Sequence, residues 1–90
     1  MRRLANYATR RKRLFDEDLE KAARGSAVFL ERVERRIVKI RKSPQHHGYH
    51  AGGVVRCSWI AGVGDWAIIY EINEESQTLI FLRFLSLDDV

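Results

Sequence analysis

The chain's 90 residues, 46% hydrophobic and 31% charged with a single proline, have the composition of an ordered globular protein and the length of one small domain, residues 1–90. No apolar run approaches the ~18 residues of a membrane span, and a lone cysteine permits no internal disulfide, so membrane and disulfide-framework classes are excluded. The formal net charge of +4 is unevenly spread: residues 1–53 hold 14 Lys/Arg against 6 Asp/Glu, and residues 54–90 hold 2 against 6. A cationic half of this density favours polyanionic partners such as nucleic acid or acidic protein segments, unless it is simply the solvated face of helices.

Met1 to Tyr7 carries charge but no apolar core of the kind a secretory signal needs, so the expected compartment is the cytoplasm. The first 13 residues hold Arg2, Arg3, Arg10, Arg11, Lys12 and Arg13 with no acid, around a strand expected over Leu4–Thr9. A helix is expected to begin near Leu14, with Asp16, Glu17 and Asp18 where carboxylates favour the positive end of the helix dipole, and Phe15, Leu19, Ala22 and Ala23 on one face. Gly25 is the expected C-terminal cap, and Ser26 can cap the next helix. From Ala27 to Lys42, Leu30, Val33, Ile37 and Ile40 recur at spacings of three and four. Arg32, Arg35, Arg36, Lys39 and Arg41 fill the rest of this second helix, and Ser43-Pro44 stops it.

Gln45 to Gly53 is expected to be a loop, and it holds all three histidines, His46, His47 and His50. Such a loop can present general acid/base imidazoles; the same residues read equally as exposed polar groups, and a metal site is disfavoured because no Asp, Glu or Cys joins them locally. Three strands follow, Val54–Ile60, Trp66–Ile72 and Thr78–Leu85, with turns expected at Ala61–Asp65 and Asn73–Gln77. The last two are apolar at nearly every position, which predicts a sheet covered on much of both faces. Arg56, Glu71 and Arg83 break this pattern, and an arginine in an apolar strand must be paired or face a site. Arg83 can be held by Glu71 across the neighbouring strand, Trp66 and Tyr70 can be core aromatics, Asp65 can merely close a turn, and Cys57 reads as a small buried hydrophobe. Strand, helix, helix and three strands make an α+β domain with a helical hairpin packed on an antiparallel sheet.

This order resembles the RelE/ParE superfamily of type II toxin–antitoxin toxins, and within it the YafQ-like branch of mRNA interferases. Phe15-Asp16-Glu17-Asp18-Leu19 is similar to the family's phenylalanine-x-lysine-aspartate-leucine opening of the first helix. Pro44, a glycine-bearing loop and a strand led by Arg56 follow in the family's order, Asp65-Trp66-Ala67-Ile68-Ile69-Tyr70 resembles the branch's aspartate-tryptophan motif, and Leu79 to Arg83 resembles its last strand. The resemblance implies a β-α-α-β-β-β microbial-RNase-like fold. It also implies cleavage of mRNA in the ribosomal A site without metal or other cofactor, and neutralisation by a cognate antitoxin in a hetero-oligomer. Arg83 falls on the family's phosphate-stabilising arginine, Asp65 and Trp66 on its active-site pair, and one of His46, His47 or His50 near its loop histidine. Under that reading Arg11, Arg13, Arg36, Lys39 and Arg56 would meet rRNA and mRNA phosphates. Trp59 stands where the family has a histidine, and Leu87 where it has a catalytic histidine or tyrosine. A gyrase-binding, non-catalytic toxin of the ParE type, or an inactive RNA-binding relative, is the alternative.

Overall fold

In the computed structural model, which describes residues 6–51 and 58–90, the chain runs β1 (Ala8–Arg11), α1 (Arg13–Ala23), α2 (Ala27–Lys42), α3 (Pro44–His47), β2 (Tyr49–Ala51), β3 (Ser58–Val63), β4 (Trp66–Asn73) and β5 (Thr78–Ser86). A 3-10 turn, Leu87–Asp89, follows. Arg56, Cys57 and the first half of the strand expected over Val54–Ile60 lie outside the described residues, as do Arg2, Arg3 and the start of the strand expected over Leu4–Thr9.

The helical hairpin follows its sequence signals closely. Arg24 (φ 49°) and Gly25 (φ 80°) both take left-handed backbone at the end of α1, so the cap begins one residue before the glycine, with the Arg24 N–H donating to the Glu20 carbonyl. Ser26 then caps α2, its Oγ accepting from the Phe29 N–H at 3.1 Å.

The expectation of a loop over Gln45–Gly53 is corrected. Pro44 occupies the first turn of α3, a place where its fixed φ suits a helix and its missing N–H costs nothing, and Tyr49–Ala51 pairs with β3. His46 and His47 therefore lie on a short helix and His50 on an edge strand. The turn expected at Ala61–Asp65 is also shorter, because Ala61, Gly62 and Val63 stay in the ladder opposite Ile68, Ala67 and Trp66. Gly64, at φ 59°, and Asp65 alone form the hairpin loop.

The sheet order is β1-β5-β4-β3-β2, and it is mixed: β1 runs parallel to β5, while the other neighbours are antiparallel. Both helices cover one face. Phe15, Leu19, Val33, Ile37 and Ile40 meet Ala61, Val63, Ile68, Tyr70, Leu79, Phe81 and Phe84 in the main core. The opposite face holds a smaller cluster of Ile60, Ala67 and Ile69, flanked by the half-buried Leu82 and Leu85.

A bulge in β5 positions the later site. Ile69 pairs with Arg83 and Tyr70 with Phe81, so Leu82 is the extra residue. Phe81 and Phe84, three apart, thereby both enter the core, which strict alternation would forbid.

Tyr70 is a core residue, fully buried, and its hydroxyl donates to the Pro44 carbonyl at 2.7 Å. Burial pushes that hydroxyl up to about 12, against a smaller opposing effect of Arg36, so it remains a donor at neutral pH. Gly48 passes directly over it: a Cβ there would overlap the Tyr70 hydroxyl and lie 2.9 Å from the Ile60 carbonyl oxygen. Gly48→Ala should therefore lower stability by about 1–3 kcal/mol, read as a lower urea midpoint at unchanged slope. An unaltered midpoint would contradict this packing of the α3–β2 connection.

Candidate nucleic-acid interface

Arg83 does not pair with Glu71. The bulge leaves Glu71 opposite Ile80, whereas the Arg83 guanidinium donates from Nε to Asp18 Oδ2 at 2.6 Å and from Nη2 to Oδ1 at 3.2 Å. The cause lies in strand lengths. β1 ends at Arg11, its last bond to β5 being the Lys12 N–H to the Phe81 carbonyl at 2.9 Å, so beyond Phe81 the outer edge of β5 faces α1. Asp18 on α1 takes the place of a strand there, Oδ2 also accepting the Phe84 N–H at 3.0 Å. Partial burial alone would raise the Asp18 carboxyl, but the bonds from Arg83 and Phe84 outweigh it and hold it below its ordinary value. The same pair raises Arg83, whose side chain stays 43% exposed against 14% for Asp18. An arginine has five N–H donors and Asp18 uses two, so the cation remains able to meet a second anion.

Asp65 is exposed at the β3–β4 tip, and its carbonyl accepts the Leu87 N–H at 2.9 Å, which places the exposed Leu87 beside it. Trp66 is half-buried, stacked on Phe84 at 5.3 Å with planes 9° apart and meeting Phe29 edge-on at 6.2 Å. It lines a groove of ≈ 490 Å³ together with Asp18, Lys21, Arg24, Phe84 and Asp89. The histidines are elsewhere. His50 pairs with Trp59 on β2, and strands β3 and β4 intervene between it and Arg83, a separation of about 14 Å at the usual strand spacing. The sheet thus brings Asp65, Trp66 and Leu87 together at one end, with Arg83 along the same edge of β5, and leaves the histidine-bearing segment across the sheet.

The basic residues divide by role. Arg11 is a strut: its Nη2 donates to both Glu34 oxygens at 2.7 Å, its Nη1 lies 3.6 Å from Asp16, and its guanidinium sits 5.6 Å from the Phe15 ring centre. Arg13 is exposed and only 3.9 Å from Glu17, an exposed pair of little energetic weight. Arg36 donates from Nε to the Gly62 carbonyl at 2.9 Å, anchoring α2 to the hairpin. With Arg32, Arg35 and Lys39 it lines a second groove of ≈ 300 Å³, whose other wall is Gly62–Val63–Gly64. Arg36 and Lys39 are among the α2 cations expected to meet RNA phosphates, and Arg32 and Arg35 share their helix face. The signal for all four is in the sequence, since they recur at i, i+3, i+4 and i+7 along one helix face.

The architecture is a two-layer α+β domain with a helical hairpin on one face of a mixed, five-stranded sheet. It is the fold of the RelE/ParE-type toxins. A chain of the RelBE2 toxin–antitoxin complex from Mycobacterium tuberculosis matches with a TM-score of 0.79 at 21% identity, over 91% of this chain and 99% of that one. A YoeB/ParE toxin from Agrobacterium tumefaciens matches at 0.74 and 14% identity, over 88% and 96% of the two chains. A YafQ mutant from E. coli matches at 0.70 and 15% identity, over 92% and 96%. No protein-family model matches the sequence, and no curated protein does. Among the described residues no helix is long and apolar enough to cross a membrane.

Proposed function

We propose that this chain is the toxin of a type II toxin–antitoxin system, of the YafQ-like branch, and that it acts in the cytoplasm as a ribosome-dependent, metal-independent mRNA endonuclease. The observation that carries the reading is the end-to-end likeness of fold to toxin chains, 91% of this chain against 99% of its neighbour. In the reaction the ribose 2′-hydroxyl attacks the adjacent phosphorus, the O2′–P bond forms, and the P–O5′ bond breaks. Charge accumulates on the phosphoryl oxygens, and preorganised cations there supply much of the rate. Arg83 is the cation for that task, with Asp18 as a positioning residue that fixes its guanidinium. Asp65 and Trp66 form the strand-end wall of the site, and proton transfer falls to a histidine of the α3–β2 segment, His46, His47 or His50, only if the RNA spans the sheet between that wall and the far edge, about 14 Å from Arg83. A cognate antitoxin neutralises the toxin by laying a segment that folds on binding across this surface, in a hetero-oligomer.

A second reading is favoured by two observations: Arg83 is already partnered by Asp18, and Leu87, beside Asp65, cannot transfer a proton. On it the chain is a non-catalytic toxin that binds DNA gyrase. Induced expression separates the two. Arg83→Ala and a His46→Ala/His47→Ala/His50→Ala triple variant should each relieve growth arrest if the protein is a nuclease. Arrest that persists in both, accompanied by a DNA-damage response, would move the assignment to the gyrase-binding toxin.

A further inference from the structure

We infer that Tyr70 and Glu74 are positioning residues for the proposed reaction: from β4 and the turn after it, they fix α3 and with it the histidines that α3 and β2 carry. The inference rests on the nuclease reading and names what holds its proton-transfer segment in place. α3 is only four residues long, Pro44–His47, and β2 only three, Tyr49–Ala51, at the edge of the sheet. A helix of one turn has almost no stability of its own, so tertiary contacts must set its place. Two side chains supply them at consecutive residues. The Tyr70 hydroxyl donates to the Pro44 carbonyl at 2.7 Å, and Gln45 Nε2 donates to Glu74 Oε2. The next two residues are His46 and His47.

Tyr70 is the buried anchor. Gly48, the residue after α3, passes so close over its hydroxyl that a Cβ there would overlap it, so Tyr70 meets the segment both before His46 and after His47. The register also sets Tyr70 in one cross-strand row with His50, since Tyr70 pairs with Trp59 and Trp59 with His50. Glu74 is the exposed anchor, and it is braced from the side away from α3. Its Oε1 accepts the Tyr7 hydroxyl at 2.8 Å, and Tyr7 is tied to the end of α2: its N–H donates to the Arg41 carbonyl at 3.1 Å, and its carbonyl accepts from Arg41 Nε at 2.9 Å. Arg83 cannot place this segment, because β3 and β4 lie between β2 and β5. The two anchors therefore set where the imidazoles start from, and a displacement of about 1 Å in a reacting group can cost about 100-fold in rate.

The test uses the full chain and ribosomes programmed with a short message, at a temperature where melting curves show every variant folded. Tyr70→Phe removes only a hydroxyl, and Glu74→Ala changes only an exposed side chain; each should lower kcat by about tenfold or more with little change in KM. Glu75→Ala, one residue along the same turn, should cut at the wild-type rate. A merely structural defect would slow any background alike. Positioning through the histidines predicts that neither substitution slows cleavage further in the His46→Ala/His47→Ala/His50→Ala chain, whose rate, lower by roughly 10²–10⁴-fold, is followed over longer times. Amide hydrogen exchange over residues 45–51 should also quicken in both variants while α2 keeps its wild-type protection. Unchanged rates, unchanged exchange, or full additivity with the histidine substitutions would overturn the inference. A wild-type protein that leaves the message uncut overturns the nuclease reading instead, and exchange then decides whether Tyr70 and Glu74 hold the segment.

Discussion

Phe15→Ala is expected to destabilise the protein by about 3–5 kcal/mol, the range for removing a fully buried aromatic ring, against a total of roughly 5–15 kcal/mol for a domain. Phe15 is fully buried and lies where both layers meet, 5.4 Å from the Phe81 ring and edge-on to Phe84 at 6.1 Å. α1 buries Phe15, Leu19 and Ala23, and Phe15 is the ring among them that packs on the aromatic side chains of β5. The bulge turns Phe81 and Phe84 inward, and the Phe15 ring touches both. Urea denaturation monitored by circular dichroism would show a variant partly unfolded before denaturant is added. A loss below about 1 kcal/mol would mean that α1 does not seat on β5 as described.

Asp18→Ala should cost about 2–3 kcal/mol, the second largest effect. The carboxylate satisfies an N–H of β5 where β1 has run out and holds Arg83 through two further bonds. Removing it orphans the N–H of the buried Phe84. Arg83, 43% exposed, recovers part of its loss from water, so the backbone bond sets the floor of the effect. The pH dependence follows from the direction of the shift. Asp18 titrates below its unfolded value in the native state, so its contribution is complete above the ordinary carboxylate range and disappears as pH falls through its lowered native value. Wild type should therefore lose more stability than Asp18→Asn between neutral and strongly acidic pH. Equal acid sensitivity of the two proteins would show that the pair contributes nothing.

The elements most legible in the sequence are those whose own residues encode both burial and boundaries. α2 runs from Ala27 to Lys42 as its three-and-four spacing, the Ser26 cap and Pro44 predict, and β4 and β5 fall within a residue of their apolar runs. β1 lies later than its residues suggest because all four of its side chains are exposed: it is fixed by backbone bonds to β5, and no polarity pattern records them. α3 and β2 are hidden in the sequence since proline at a first helical position and glycine over Tyr70 also read as loop.

At the site, the apolar pattern around Arg83 correctly demands a partner, but the partner stands 65 residues away on α1, in a place created by the short β1 and the β5 bulge. Neither feature has a sequence signature. The cationic stripe of α2 is visible in the sequence, and the glycine hairpin that turns it into a groove is not, because only the tertiary fold sets the two side by side.

The most direct test of the proposed activity is to map mRNA 5′ ends by primer extension in cells induced for wild type and for Arg83→Ala. The nuclease account predicts codon-phased cuts within translated messages that vanish with Arg83→Ala. Intact messages in cells that nonetheless arrest under the wild-type protein would contradict it.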